Sequence, residues 1–194
     1  MQHHKKRIYC TCSAYILLAL SVIVIPLKWL ISCILAIAIH ECAHLLLVFL
    51  FRGKVNRICF TALGARIETD SMPAYQSLLA TAAGPAASML LMLLHRRFPM
   101  LVAFGFIHGI INLLPMKNLD GGHILQNILC IFCSLPTQVR IANIVDLIVR
   151  FIIFAACFML IWYIRWGVGM VLLLIVLIRG IRNIPCKDAY LPVQ

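Results

Sequence analysis

The stretch AIAIHECAHLLLVF, residues 36–49, sets two histidines and a glutamate inside a run that is otherwise apolar. The run extends over 29–51, near the roughly 20 residues an α-helix needs to cross the hydrocarbon core of a bilayer. Comparable runs lie at 9–27, 77–94, 98–115, 139–164 and 168–183. The whole chain agrees with that reading. Of its 194 residues 63% are hydrophobic, and 17 lysines and arginines face only 6 acidic residues. Such a composition belongs to a membrane protein. The expected fold is therefore an all-α membrane protein of about six transmembrane helices. It forms a single domain over 1–194, with no room left for a separate soluble domain.

Charge distribution orients the helices. With the N-terminus in the cytoplasm, Lys5, Lys6, Arg7, Arg52, Lys54, Arg57, Arg66, Lys117, Arg140, Arg179, Arg182 and Lys187 fall inside. Lys28, Arg96, Arg97 and Arg165 fall outside, HRR at 95–97 being the main dissent. The positive-inside rule thus favours cytoplasmic N- and C-termini. Topology and anionic headgroups account for the net charge of +11, so no nucleic-acid partner is implied. The basic start resembles a signal-peptide n-region, but no small-residue cleavage site follows, so the first run reads as a retained anchor. Nine cysteines, an odd number sitting mostly in apolar runs, argue against a disulfide framework. CIFC at 130–133 lacks the second pair a zinc site needs and reads as small apolar helix residues.

Two segments depart from the helical pattern. RICFTALGARIE, residues 57–68, roughly alternates and is broken by Gly64, which predicts a short cytoplasmic β-hairpin between the second and third spans. INLLPMKNLDGGHIL, residues 111–125, carries Pro115 and the pair Gly121-Gly122, which should break a helix near membrane depth. Irregular backbone at that depth is tolerated only when buried in protein or lining a watery cavity.

Ionisable groups within a span cost about 2.5–3.5 kcal/mol each to insert and mark a functional site by default. His40 and His44 stand four apart, so on a helix both imidazoles reach one metal ion from the same face, with Glu41 beside it. This is the HExxH pattern, in which the metal activates a water and the glutamate shuttles protons. A catalytic zinc site needs a third protein ligand and keeps a fourth position open. Asp120 is the best-placed acid, in the broken-helix segment at about the depth of His40 and His44. Asp146 has a neighbour one turn on, Arg150, with which it can pair. Glu68, Asp70 and Asp188 fall in surface segments. Cys42 should point away from the metal.

Three ordered motifs then carry a resemblance: HECAH at 40–44, GPAAS at 84–88 and NLLPMKNLDGG at 112–122. In order, spacing and membrane placement the chain resembles the site-2 protease family of intramembrane zinc metalloproteases. It looks most like the small six-span branch typified by the stage IV sporulation protein FB. That branch commonly carries a C-terminal CBS domain, and this chain stops soon after its last span. The resemblance implies a zinc metalloendopeptidase, embedded in the cell membrane, with a Zn2+ cofactor held by His40, His44 and Asp120. It implies Glu41 as the catalytic base and Asn112 near the substrate or the oxyanion. Its partners would be a membrane-tethered protein substrate, cleaved within or near its transmembrane segment to release a cytoplasmic product, the lipid bilayer, and a membrane regulatory partner. Gly84 and Ser88 look like close-packing positions rather than catalytic ones. His108 and His123 match no ligand position and read as hydrogen-bonded helix or turn residues. A membrane metal-ion transporter would need polar residues along a path through the bilayer, whereas these cluster near one face. A non-catalytic membrane scaffold of the same fold would be expected to lack part of the catalytic set, and nothing in that set is missing.

Overall fold

The computed structural model describes residues 7–10, 19–61, 64–69 and 72–164. Five α-helices dominate them: α1 (Leu27–Leu50), α2 (Ala74–Leu90), α3 (Pro99–Asn112), α4 (Asp120–Phe132) and α5 (Leu135–Ile164). Helical backbone is also present at 19–24, and a 3-10 turn, Leu91–Leu94, prolongs α2. The chain divides into two compact units, Met1–Val149 and Arg150–Gln194. Described residues of the second, 150–164, are the C-terminal part of α5.

Among the described residues two helices have the length and hydropathy to cross a membrane, Leu27–Leu50 with mean hydropathy 2.2 and Ala74–Leu94 with 1.7. In α1 the usual amphipathic pattern of a water-soluble helix is inverted. Its buried face recurs every four residues as Ala36, His40, His44 and Val48, while Ile31, Ile34, Leu35, Leu46, Phe49 and Leu50 are exposed. A helix that hides imidazoles and shows leucine to its surroundings suits lipid as solvent. Pro99–Asn112 is apolar but only 14 residues long. The expected run at 139–164 lies within α5, and the one at 168–183 lies outside the described residues.

The helices of the first unit are held by close approach. α1 packs against α2 and α3, and α2 against α3 and α4. Gly105 and Gly109, four apart on α3, let that helix lie on α2: a Cβ at Gly105 would stand 2.7 Å from Leu91 Cδ1, and one at Gly109 2.7 Å from Ser88 Cβ. Small residues at this spacing are the usual means of close helix contact in membranes. Ala36, Leu91 and Leu101 form the small apolar core beside it, with Ile39 and Phe104 packed on its edge.

A Schellman motif ends α1 and turns the chain into the sheet. The Gly53 N–H donates to the Val48 carbonyl at 2.8 Å and the Arg52 N–H to Phe49 at 2.9 Å, with Arg52 at φ 58°. The expected hairpin is present as β2 (Val55–Thr61) and β3 (Gly64–Thr69), antiparallel, with Ile58 opposite Ile67. It is joined by a strand the sequence reading had assigned partly to the first span. β1 (Arg7–Cys10) pairs in parallel with β2, Ile8 opposite Ile58, so the sheet order is β1-β2-β3. The run 9–27 is therefore not one continuous helix: it opens in a strand, and Pro26 separates the helical turns at 19–24 from α1.

A second correction concerns Gly121 and Gly122. They do not break a helix; they form the first turn of α4. The loop between α3 and α4 folds back over that turn, and a Cβ on either glycine would collide with backbone, that of Leu113 and Leu114 at Gly121 and that of Met116 and Lys117 at Gly122. The pair is glycine because two stretches of main chain meet there with no space for a side chain.

Candidate metal centre

His40 and His44 lie one helical turn apart on the buried face of α1, where i and i+4 side chains share a direction. Asp120, at the first position of α4, meets them from the other side. Its Oδ2 stands 2.9 Å from His40 Nε2 and 3.2 Å from His44 Nε2, and the two imidazole nitrogens are 3.1 Å apart. Among the described residues these three form the group of His, Cys, Asp or Glu side chains close enough to share a metal ion. His40 is 1% exposed and His44 8%.

The other nitrogen of each ring is held by α2. His44 Nδ1–H donates to the Ala80 carbonyl at 2.8 Å, and His40 Nδ1 lies 2.8 Å from Ser88 Oγ. A backbone carbonyl can only accept, so the proton of neutral His44 sits on Nδ1 and its Nε2 presents a lone pair. Ala80, Gly84 and Ser88 are four apart and all buried, one stripe of α2 laid along the two imidazoles. Gly84 faces the ring nitrogens themselves: a Cβ there would collide with His44 and stand 2.7 Å from His40 Nε2. Ser88 thus has more than the packing role its spacing suggested, since it touches both Gly109 of α3 and the ring of His40.

The arrangement fits a divalent ion of the zinc type. Two imidazole nitrogens and a carboxylate oxygen converging on one spot are held together by a shared proton or by a metal cation, and this donor set suits the metal. Zinc at roughly 2.0–2.1 Å from tetrahedral ligands separates those ligands by about 3.3 Å, within a few tenths of an ångström of the separations seen. Ligating histidines characteristically give their second nitrogen to a carbonyl or other acceptor, as His44 does here.

The remaining expected residues fall around this centre. Glu41 follows His40 on α1 and is half-buried, and Cys42 is exposed, away from the buried face. Asn112, buried at the end of α3, donates through Nδ2 to His108 Nε2 at 2.9 Å rather than to any of the three converging side chains. His108 in turn sets its ring edge-to-face on His40, centroids 4.6 Å apart. The sequence reading had His108 as a hydrogen-bonded helix residue and missed its contact with His40. Its place four residues before Asn112, on the same face of α3, was the available signal. Nothing in the sequence pointed to the Ala80 carbonyl, which is a backbone group.

Comparison with known proteins finds similarity over part of the sequence and in the fold. The sequence model of Peptidase family M50 matches residues 94–156, a span that includes Asn112 and Asp120. The fold is similar to the solved structure of the site-2 protease from Methanocaldococcus jannaschii, with a TM-score of 0.63 over 98% of both chains at 17% sequence identity. Among curated proteins, none matches the chain.

Proposed function

We propose that the chain is an intramembrane zinc metalloprotease of the site-2 protease kind, cleaving a membrane-tethered protein within or near its transmembrane segment. The convergence of His40, His44 and Asp120, buried beneath an apolar helix surface, is the observation that carries this reading. The M50 match over 94–156 and the site-2 protease fold support it.

His40, His44 and Asp120 would hold the ion, which when bound supplies Lewis-acid polarisation and makes water a usable nucleophile near neutral pH. Glu41, next to His40 on α1, accepts the proton of the attacking water. As the carbon–nitrogen bond of the scissile peptide breaks, Glu41 returns that proton to the leaving amine. Ala80 and Ser88 hold the imidazoles so that their Nε2 atoms face inward. A transmembrane substrate must first unwind to expose its peptide bonds. Among the described residues β2 is paired on both sides and β1 and β3 are the edges of the sheet, so an extended substrate strand would add at one of those edges by main-chain hydrogen bonds. Asn112, through the Nδ2 hydrogen not given to His108, would face the substrate.

The test is reconstitution in lipid vesicles with single-span candidate substrates, comparing wild type with Glu41→Gln. Loss of the general base should slow cleavage by about 10²- to 10⁴-fold. Equal cleavage by the two proteins would remove Glu41 from the mechanism. Zinc flux across the same vesicles without cleavage would favour a transporter instead.

A further inference from the structure

Among the described residues the proposed mechanism leaves one buried acid unused. Asp146, on α5 within the first unit, is 7% exposed, and a carboxyl group at that depth must be satisfied by hydrogen bonds. Its Oδ1 accepts the backbone N–H of Lys117 at 3.0 Å, across 29 residues of sequence. This long-range bond is distinct from the one-turn pairing with Arg150 that its spacing suggested.

Lys117 lies three residues before Asp120, in the loop that hands α3 over to α4. The other main-chain bonds of that loop lie within it, run back to the end of α3, or are accepted by it from the first turn of α4. Met116 N–H donates to Leu114 at 2.7 Å, Leu119 N–H to Met116 at 2.9 Å, and Gly122 N–H to Leu119 at 3.0 Å. These bonds give the loop its shape but do not tie it to another helix. Asp146 does, through an amide that carries no side-chain information: the Lys117 side chain itself is exposed. Because the loop also presses on Gly121 and Gly122, a shift of Lys117 is transmitted to the first turn of α4, where Asp120 stands.

We propose that Asp146 is a positioning residue, fixing the 113–119 loop so that Asp120 meets His40 and His44. The inference rests on the metal-centre reading above. It is tested on the full chain purified in detergent, by zinc affinity in competition with a chromogenic chelator and by amide exchange over 113–119. Asp146→Leu should weaken zinc binding at least about tenfold and expose the Lys117 amide to exchange. Asp146→Asn keeps an acceptor of the same size and should stay within about threefold of wild type, as should Lys117→Ala, because the ammonium group is not used. Wild-type zinc affinity in a folded Asp146→Leu protein would overturn the proposal, and so would a Lys117→Ala loss equal to that of Asp146→Leu. If Asp146→Leu does not fold, the wild type decides. A Lys117 amide protected with and without zinc supports the clamp, and one that exchanges freely overturns it. Absence of zinc binding by the wild type would instead refute the metal-centre reading itself.

Discussion

Gly84→Ala isolates the metal centre from the fold that carries it. On helix propensity alone the change should help, since alanine is favoured over glycine in a helix interior by about 1 kcal/mol. The site opposes it. An added Cβ would stand 2.7 Å from His40 Nε2 and closer still to His44, while ordinary contact begins at 3.4 Å. His40 would have to retreat by about 0.7 Å, and His44 by more. Metal ligands tolerate deviations of only about 0.2 Å. Neither ring can swing aside freely, because Ser88 and Ala80 hold their Nδ1 atoms at 2.8 Å. The expected result is a fall in zinc affinity of about 100-fold, the upper end of what supporting residues contribute. That corresponds to about 2.7 kcal/mol, against a gain of about 1 in helix stability. Chelator competition on purified protein reads the affinity, and circular dichroism should show unchanged or slightly firmer helix. Zinc bound within about threefold of wild type would show that the imidazoles relax around the methyl group, and the close fit at Gly84 would lose its meaning.

Other substitutions probe the same centre from different sides. Ser88→Ala removes the partner of His40 Nδ1 and should weaken zinc by about tenfold with little change in thermal unfolding, as read by calorimetry alongside metal titration. Gly109→Ala drives a methyl group against Ser88 and should lower stability by about 1–3 kcal/mol, measured by denaturant unfolding in detergent. Asp120→Ala should abolish tight zinc binding, and chelation of wild type should stop substrate cleavage until zinc is restored.

How much of this was legible beforehand depends on how far each feature reaches along the chain. The pairing of His40 with His44 follows from a four-residue spacing on one helix, so the sequence shows it directly. Asp120 was legible by its company, a proline and two glycines in an apolar stretch, although those glycines turned out to open a helix rather than end one. The strand Arg7–Cys10 was hidden because four residues carry little periodicity and their partner lies some 50 positions away. The contacts of Ser88, Ala80 and His108 depend on which helix faces are brought together, and hydropathy cannot show that in helices apolar nearly all round. Ser88 could be read as small; its bond to His40 could not.

The distance in sequence between the two halves of the centre also has a consequence for the integrity of the fold. His44 and Asp120 are 76 positions apart. A bond shared between them closes a loop of that length, and by the chain-entropy relation for cross-links such a closure is worth about 4.5 kcal/mol against the open chain. The ion that these side chains would hold would thus be a staple, drawing α1 and the first turn of α4 together. During synthesis the histidines emerge first and wait for the aspartate, so the chain cannot be stapled until residue 120 has arrived.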